Sequence, residues 1–124
     1  MAPPLQQLAH AEAKLLLGLY SEAWELIDSL PFDAEDNPRA VAVKLMICEG
    51  RKDWEEGKRL AEGVTVKCSA NERQAAGRFL LSLAMATKES GDYKGARAAV
   101  VALCRVWPEG KHLALGSKEL SVLW

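Results

Sequence analysis

The stretch AAGRFLLSLAMATKESGDYKGARAAVVALCRVWP, Ala75 to Pro108, leaves few folds open. In its first half Phe79, Leu80, Leu83, Ala84 and Thr87 recur at three- and four-residue steps, which places them on one face of an α-helix. Gly91 ends that helix. Asp92 offers a side-chain oxygen to cap the next one, where Tyr93, Ala96, Val100 and Leu103 form a second stripe until Pro108, which lacks an amide hydrogen, stops it. Two amphipathic helices joined by so short a turn bury their stripes by folding back on each other, so the stretch reads as a helical hairpin.

The rest of the chain holds partial echoes of this unit. Pro3 and Pro4 suit a first helical turn, and Leu5, Leu8, Glu12, Leu15, Leu16 and Leu19 follow at helical steps. Gly18 marks a turn, and Tyr20, Ala23, Ile27 and Leu30 lead to Pro31. Gln7, His10 and Lys14 stand where apolar residues would complete the first stripe, as suits the solvated outer face of a terminal unit. After the acidic connection Phe32 to Asp36, Asn37-Pro38 provides an N-cap and a first helical residue, and Ala42, Val43, Leu45 and Met46 follow. Gly50 is read as the end of that helix, and Asp53 and Glu56 as a capping box for the next, which runs to about Lys67. Gly57 and Gly63 each cost about 1 kcal/mol against alanine inside a helix, so this arm is expected to be the weakest. Ser69 and Glu72 form another capping box, opening a helix that reaches Ser90. With turn glycines at 18, 50 and 91, the intervals are 32 and 41. In the tail, Gly110 and Gly116 interrupt any long helix, and Leu120, Leu123 and Trp124 are placed to cover the last hairpin.

The spacing Leu80-x2-Leu83-Ala84, then Gly91-Asp92-Tyr93-x2-Ala96, Val100, Leu103 and Pro108 resembles the 34-residue tetratricopeptide repeat. The resemblance implies an all-α fold of antiparallel helical hairpins, stacked as a short right-handed TPR-like α-solenoid. Residues 1–124 form one such domain, with repeats at about 4–31, 37–67 and 69–108 and a C-terminal capping segment at 109–124. It also implies a scaffold that binds a peptide segment of a partner protein in a concave groove lined by the first arms. Carried residue by residue, the groove comprises Leu5, Leu8, Glu12 and Leu15; Ala40, Lys44 and Ile47; and Arg78, Leu81, Met85 and Lys88. Helical spacing independently puts the last four on one stripe. Three cations in an apolar groove imply an apolar partner segment with acidic flanks. Family members that clamp C-terminal carboxylates carry Lys and Asn where this chain has Leu8 and Glu12, which argues against that mode.

Other classes find less support. Sixteen Lys and Arg against 17 Asp and Glu give a formal charge of -1, too little field to hold nucleic acid or an anionic membrane. No apolar run approaches the ~20 residues that span a bilayer, and the first ten residues do not resemble a secretion signal. Cys48, Cys68 and Cys104 cannot all pair, which points to reduced thiols and a cytoplasmic setting. His10 and His112 lack liganding neighbours at zinc spacing, and no phosphate loop or catalytic motif occurs. No metal, cofactor or enzymatic activity is therefore expected. Trp107 and Trp124 are expected to pack on each other or to form an exposed patch. The competing functional reading is a self-associating structural subunit, a homodimer through the groove or the apolar terminal faces.

Overall fold

The computed structural model describes residues 3–124, and among them seven α-helices and no strand occur. The helices are α1 (Pro4–Leu16), α2 (Tyr20–Asp28), α3 (Pro38–Arg51), α4 (Trp54–Glu62), α5 (Ala70–Glu89), α6 (Tyr93–Val106) and the short α7 (Lys111–Leu115). Single 3-10 turns occupy Ala34–Asp36, Pro108–Gly110 and Ser121–Leu123.

Polar contacts near the helix ends show that the first six helices pair antiparallel. Gln7, early in α1, donates from Nε2 to the Leu26 carbonyl (2.6 Å) and to Ser29 Oγ (2.8 Å) at the end of α2. Lys14, late in α1, lies 3.9 Å from Glu22, early in α2. Arg59 of α4 reaches back to Glu35, just before α3, at 2.8 Å. Arg73, in the first turn of α5, binds both oxygens of Glu109 beyond α6, at 2.8 and 2.7 Å.

The turns correct one sequence expectation. Gly50 does not end its helix; α3 continues to Arg51, and Lys52 takes the left-handed conformation (φ 57°) that Gly18 (φ 76°) and Gly91 (φ 89°) take in the other two turns. Gly50 is small for a different reason: a methyl group there would overlap the Tyr20 ring. Counted from positions 18, 52 and 91, the turns are 34 and 39 residues apart, not 32 and 41. Equal offsets then recur in all three hairpins. Each turn is followed by an aromatic (Tyr20, Trp54, Tyr93), a small buried residue (Ala23, Gly57, Ala96), and buried apolar pairs (Ile27 and Leu30, Ala61 and Val64, Val100 and Leu103).

A side chain at positive φ costs roughly 1 kcal/mol that glycine does not incur. Lys52→Gly is therefore expected to raise stability by about 0.5–1 kcal/mol, while Gly18→Ala and Gly91→Ala lower it. Chemical denaturation of the three variants checks the order.

Caps fall largely where the sequence places them. Asn37 accepts from the Ala40 amide and Asp92 from the Gly95 amide, and the Ser69–Glu72 box is reciprocal. The Asp53–Glu56 box is only half formed. Asp53 accepts from the Glu56 amide, but the Glu56 carboxylate turns to Arg59, whose guanidinium holds that carboxyl below the usual range.

Helix α3 lies between α1 and α5 and is buried on two sides. Ala40, Val43 and Ile47 join the core of the first hairpin around Leu8, Ala11 and Ile27, while Val41, Leu45 and Cys48 join the larger core around Phe79, Leu80 and Leu103. Trp24 packs against both clusters. Gly57, expected only to weaken α4, is where the fully buried Phe79 ring meets that helix, and a methyl group there would overlap the ring.

In the tail Leu120 and Leu123 enter the core and Arg97 donates to the Leu123 carbonyl at 3.5 Å, so the segment covers part of α6. Trp107 is half-buried in a slot that only glycine leaves open at Gly77 and Gly110, whereas Trp124 is 60% exposed. Of the polar residues expected on the first hairpin's outer face, His10 is exposed but Gln7 and Lys14 turn to α2, and Leu5, Leu16 and Leu17 are 68%, 88% and 72% exposed.

Candidate interaction groove

A groove of about 890 Å³ runs across the first arms α1, α3 and α5. From α1 it takes Glu12, Leu15 and Leu16; from α3, Arg39, Ala42, Met46, Glu49 and Gly50; from α5, Asn71, Gln74, Ala75, Arg78, Ser82, Met85, Ala86 and Glu89. Tyr20, Lys52 and Trp54 line it at the turns. The α5 set recurs at three- and four-residue steps, so one face of that helix supplies almost half of the wall.

Two contacts tie the wall together. Arg39 forms a two-pronged pair with Glu12, its Nε at 3.0 Å from Oε2, and Ser82 Oγ donates to Glu49 at 2.9 Å. Arg78 and Lys52 have no ion pair among the described residues. Formal charges balance, with Arg39, Lys52 and Arg78 against Glu12, Glu49 and Glu89.

Of the residues singled out from the sequence, Glu12, Leu15, Arg78 and Met85 lie in this groove. Leu8 and Ile47 do not: both are fully buried in the first hairpin's core. Leu81 packs half-buried against the larger core, and Lys88, also half-buried, stands outside the lining. Lys44 points the other way, its ammonium 3.5 Å from Asp28 and 4.6 Å from the centre of the Trp24 ring.

The cause on α3 is the turn at Lys52. Counting back from Gly50 selects Lys44 and Ile47, and counting from Lys52 selects Met46 and Glu49. Two residues rotate a helix by about 200°, enough to exchange its faces. The missed residues Arg39, Met46 and Glu49 were legible to anyone setting the second turn 34 residues after Gly18; Asn71 and Gln74 continue the Arg78 stripe at three- and four-residue steps inside the helix expected from Ser69 to Ser90 and were legible as well.

Burial changes what charge reversal should do at these positions. The Lys44 side chain is only 11% exposed and its charge is partnered, so Lys44→Glu is expected to destabilise by about 2 kcal/mol or more. Arg78→Glu, exposed in the groove, should stay within about 0.5 kcal/mol of the parent. Paired denaturant titrations test the contrast.

Elsewhere the chemistry is sparse. Among the described residues no group of three or more His, Cys, Asp or Glu is placed to hold a metal ion, and no helix is long and apolar enough to cross a membrane. The three cysteines are free, and burial pushes the Cys48 thiol up to about 11, so it stays protonated at neutral pH. Compared with family models, curated proteins and solved structures, the chain has no match.

Proposed function

We propose that the chain is a non-catalytic protein-interaction module, a TPR-like α-solenoid whose first arms bind a peptide segment of a partner protein. The observation that carries this reading is the groove across α1, α3 and α5, in which Leu15, Leu16, Met46 and Met85 offer apolar anchors. The hairpin spacing supports the family likeness: the first two turns are 34 residues apart, with small residues at equal offsets after all three. Methionines suit a surface that adapts to several apolar side chains. Arg78 and Lys52, lacking ion pairs, favour acidic flanks on the bound segment, and the Asn71 and Gln74 amides are placed to meet peptide backbone. Three free cysteines favour a reducing compartment such as the cytoplasm.

The test is selection of a displayed peptide library on the intact protein, followed by affinity measurement and chemical-shift mapping. Shifts should concentrate on α1, α3 and α5. Met46→Asp and Met85→Ala should weaken binding mainly through faster dissociation, and Arg78→Glu mainly through slower association with an altered salt dependence. Selected peptides that shift other surfaces, or that bind all three variants like the parent, would defeat the reading.

The exposed Leu5, Leu16 and Leu17 favour a second reading, self-association through the α1 edge into a homodimer. Sedimentation across a hundredfold concentration range decides it: a monomer throughout excludes the dimer.

A further inference from the structure

Helix α1 has two apolar faces. On one, Leu8 and Ala11 are completely buried in the core of the first hairpin. On the other, Leu5, Ala9, Ala13, Leu16 and Leu17 are all exposed. At 3.6 residues per turn these five fall within an arc of about 120°, centred roughly 150° from the buried face. Gln6 is the one polar residue inside the arc, and it carries no charge. Other polar side chains of the helix are engaged with neighbours: Glu12 with Arg39, Lys14 with Glu22, and Gln7 with the end of α2.

The exposed face reads nearly the same in both directions about position 11. Leu5 stands six residues before it and Leu17 six after; Ala9 stands two before and Ala13 two after. A two-fold contact uses the same patch on both copies, so that residue i meets j and j meets i. Two α1 helices laid antiparallel and centred at position 11 meet that condition along the whole seam. Leu5 of one copy lies opposite Leu17 of the other, with Leu16 beside it, at each end of a seam about 18 Å long, and Ala9 lies opposite Ala13. Near the axis the alanines let the helices approach closely, and the leucines cover the ends. A residue at the axis also meets its own copy, where a charge would repel itself; Ala9 and Ala13 carry none. A head-to-tail contact with the exposed Leu113, Leu115, Val122 and Trp124 at the far end of the chain would need no such symmetry.

We propose that two copies of the chain pair through these faces, α1 antiparallel to α1 in the register centred at position 11. This pairing rests on the self-association reading above and gives it a geometry. One helix edge is smaller than the roughly 800 Å² per partner of a standard stable interface, so the pair is reversible. Sedimentation across the same concentration range should take the parent from monomer to dimer and no further. Leu5→Lys and Leu17→Glu, both at exposed positions and checked for folding by circular dichroism, should each weaken association at least tenfold. Mixed one to one, the two variants should associate more tightly than either alone. Only the antiparallel register sets the introduced cation against the introduced anion at one end and leucine against leucine at the other. A parent that stays monomeric removes the self-association reading and this geometry with it. A dimer untouched by either substitution keeps that reading and overturns the use of α1. Two weakened variants that do not recover on mixing overturn the register. Growth beyond the dimer, or loss of the dimer on combining Val122→Ser with Trp124→Ser, reveals a head-to-tail contact and overturns the two-fold pairing.

Discussion

Phe79→Ala is expected to lower stability by about 3–5 kcal/mol, the range for removing a fully buried aromatic side chain. The ring has no exposed surface, touches Gly57 of α4, and sits 5.7 Å from the Trp54 ring centre in a tilted arrangement. It thereby joins the second hairpin to the third, and its loss leaves a cavity at their junction. Since small domains are stable by only about 5–15 kcal/mol, the variant should unfold at markedly lower denaturant concentration. A double-mutant cycle identifies the contact. Gly57→Ala alone should destabilise by about 1–2 kcal/mol, because overlap with a fixed ring outweighs the gain in helix propensity. In the Phe79→Ala background the same change should be neutral or stabilising, the added methyl now entering empty space. Additive effects would show that the ring and the glycine do not meet.

Ala96→Trp should cost about 3 kcal/mol, the upper end of overpacking effects. Ala96 is completely buried at the contact between α5 and α6, the most extensive helix pairing among the described residues, so a larger side chain there has to displace its neighbours. Ala23, also fully buried, and Gly57 hold the same place in the other hairpins, so Ala23→Trp should behave alike. Val101→Trp, on the exposed side of α6, should be nearly neutral and controls for the bulk of the residue. Thermal unfolding followed by circular dichroism measures all three. An Ala96→Trp protein as stable as the parent would mean that α5 and α6 do not approach in this register.

Local chemistry made the helices legible. Periodic apolar residues, Asn37 and Asp92 as caps, the reciprocal Ser69–Glu72 box and Pro108 as a stop depend on residues within a few positions of one another, and each is found where the sequence puts it. The third hairpin, with both its stripes, follows from its own residues. Two of the four groove residues expected on α5, Arg78 and Met85, follow too, since they share a stripe whatever the neighbours do.

Tertiary structure decided what depended on contacts between hairpins. Gly50 and Lys52 compete for the second turn, and conformational preference alone favours glycine. The packing of Tyr20 on Gly50 keeps that residue helical and leaves Lys52 to take the positive φ. That shift carries Lys44 and Ile47 to the first hairpin and brings Met46 and Glu49 into the groove. Burial of Leu8, on an arm whose stripe is interrupted by polar residues, likewise requires α3 beside it. Helix formation is a property of neighbouring residues along the chain. Which face of a helix meets solvent is set by the helices on either side, and for α3, enclosed by two of them, that information is not in its own residues.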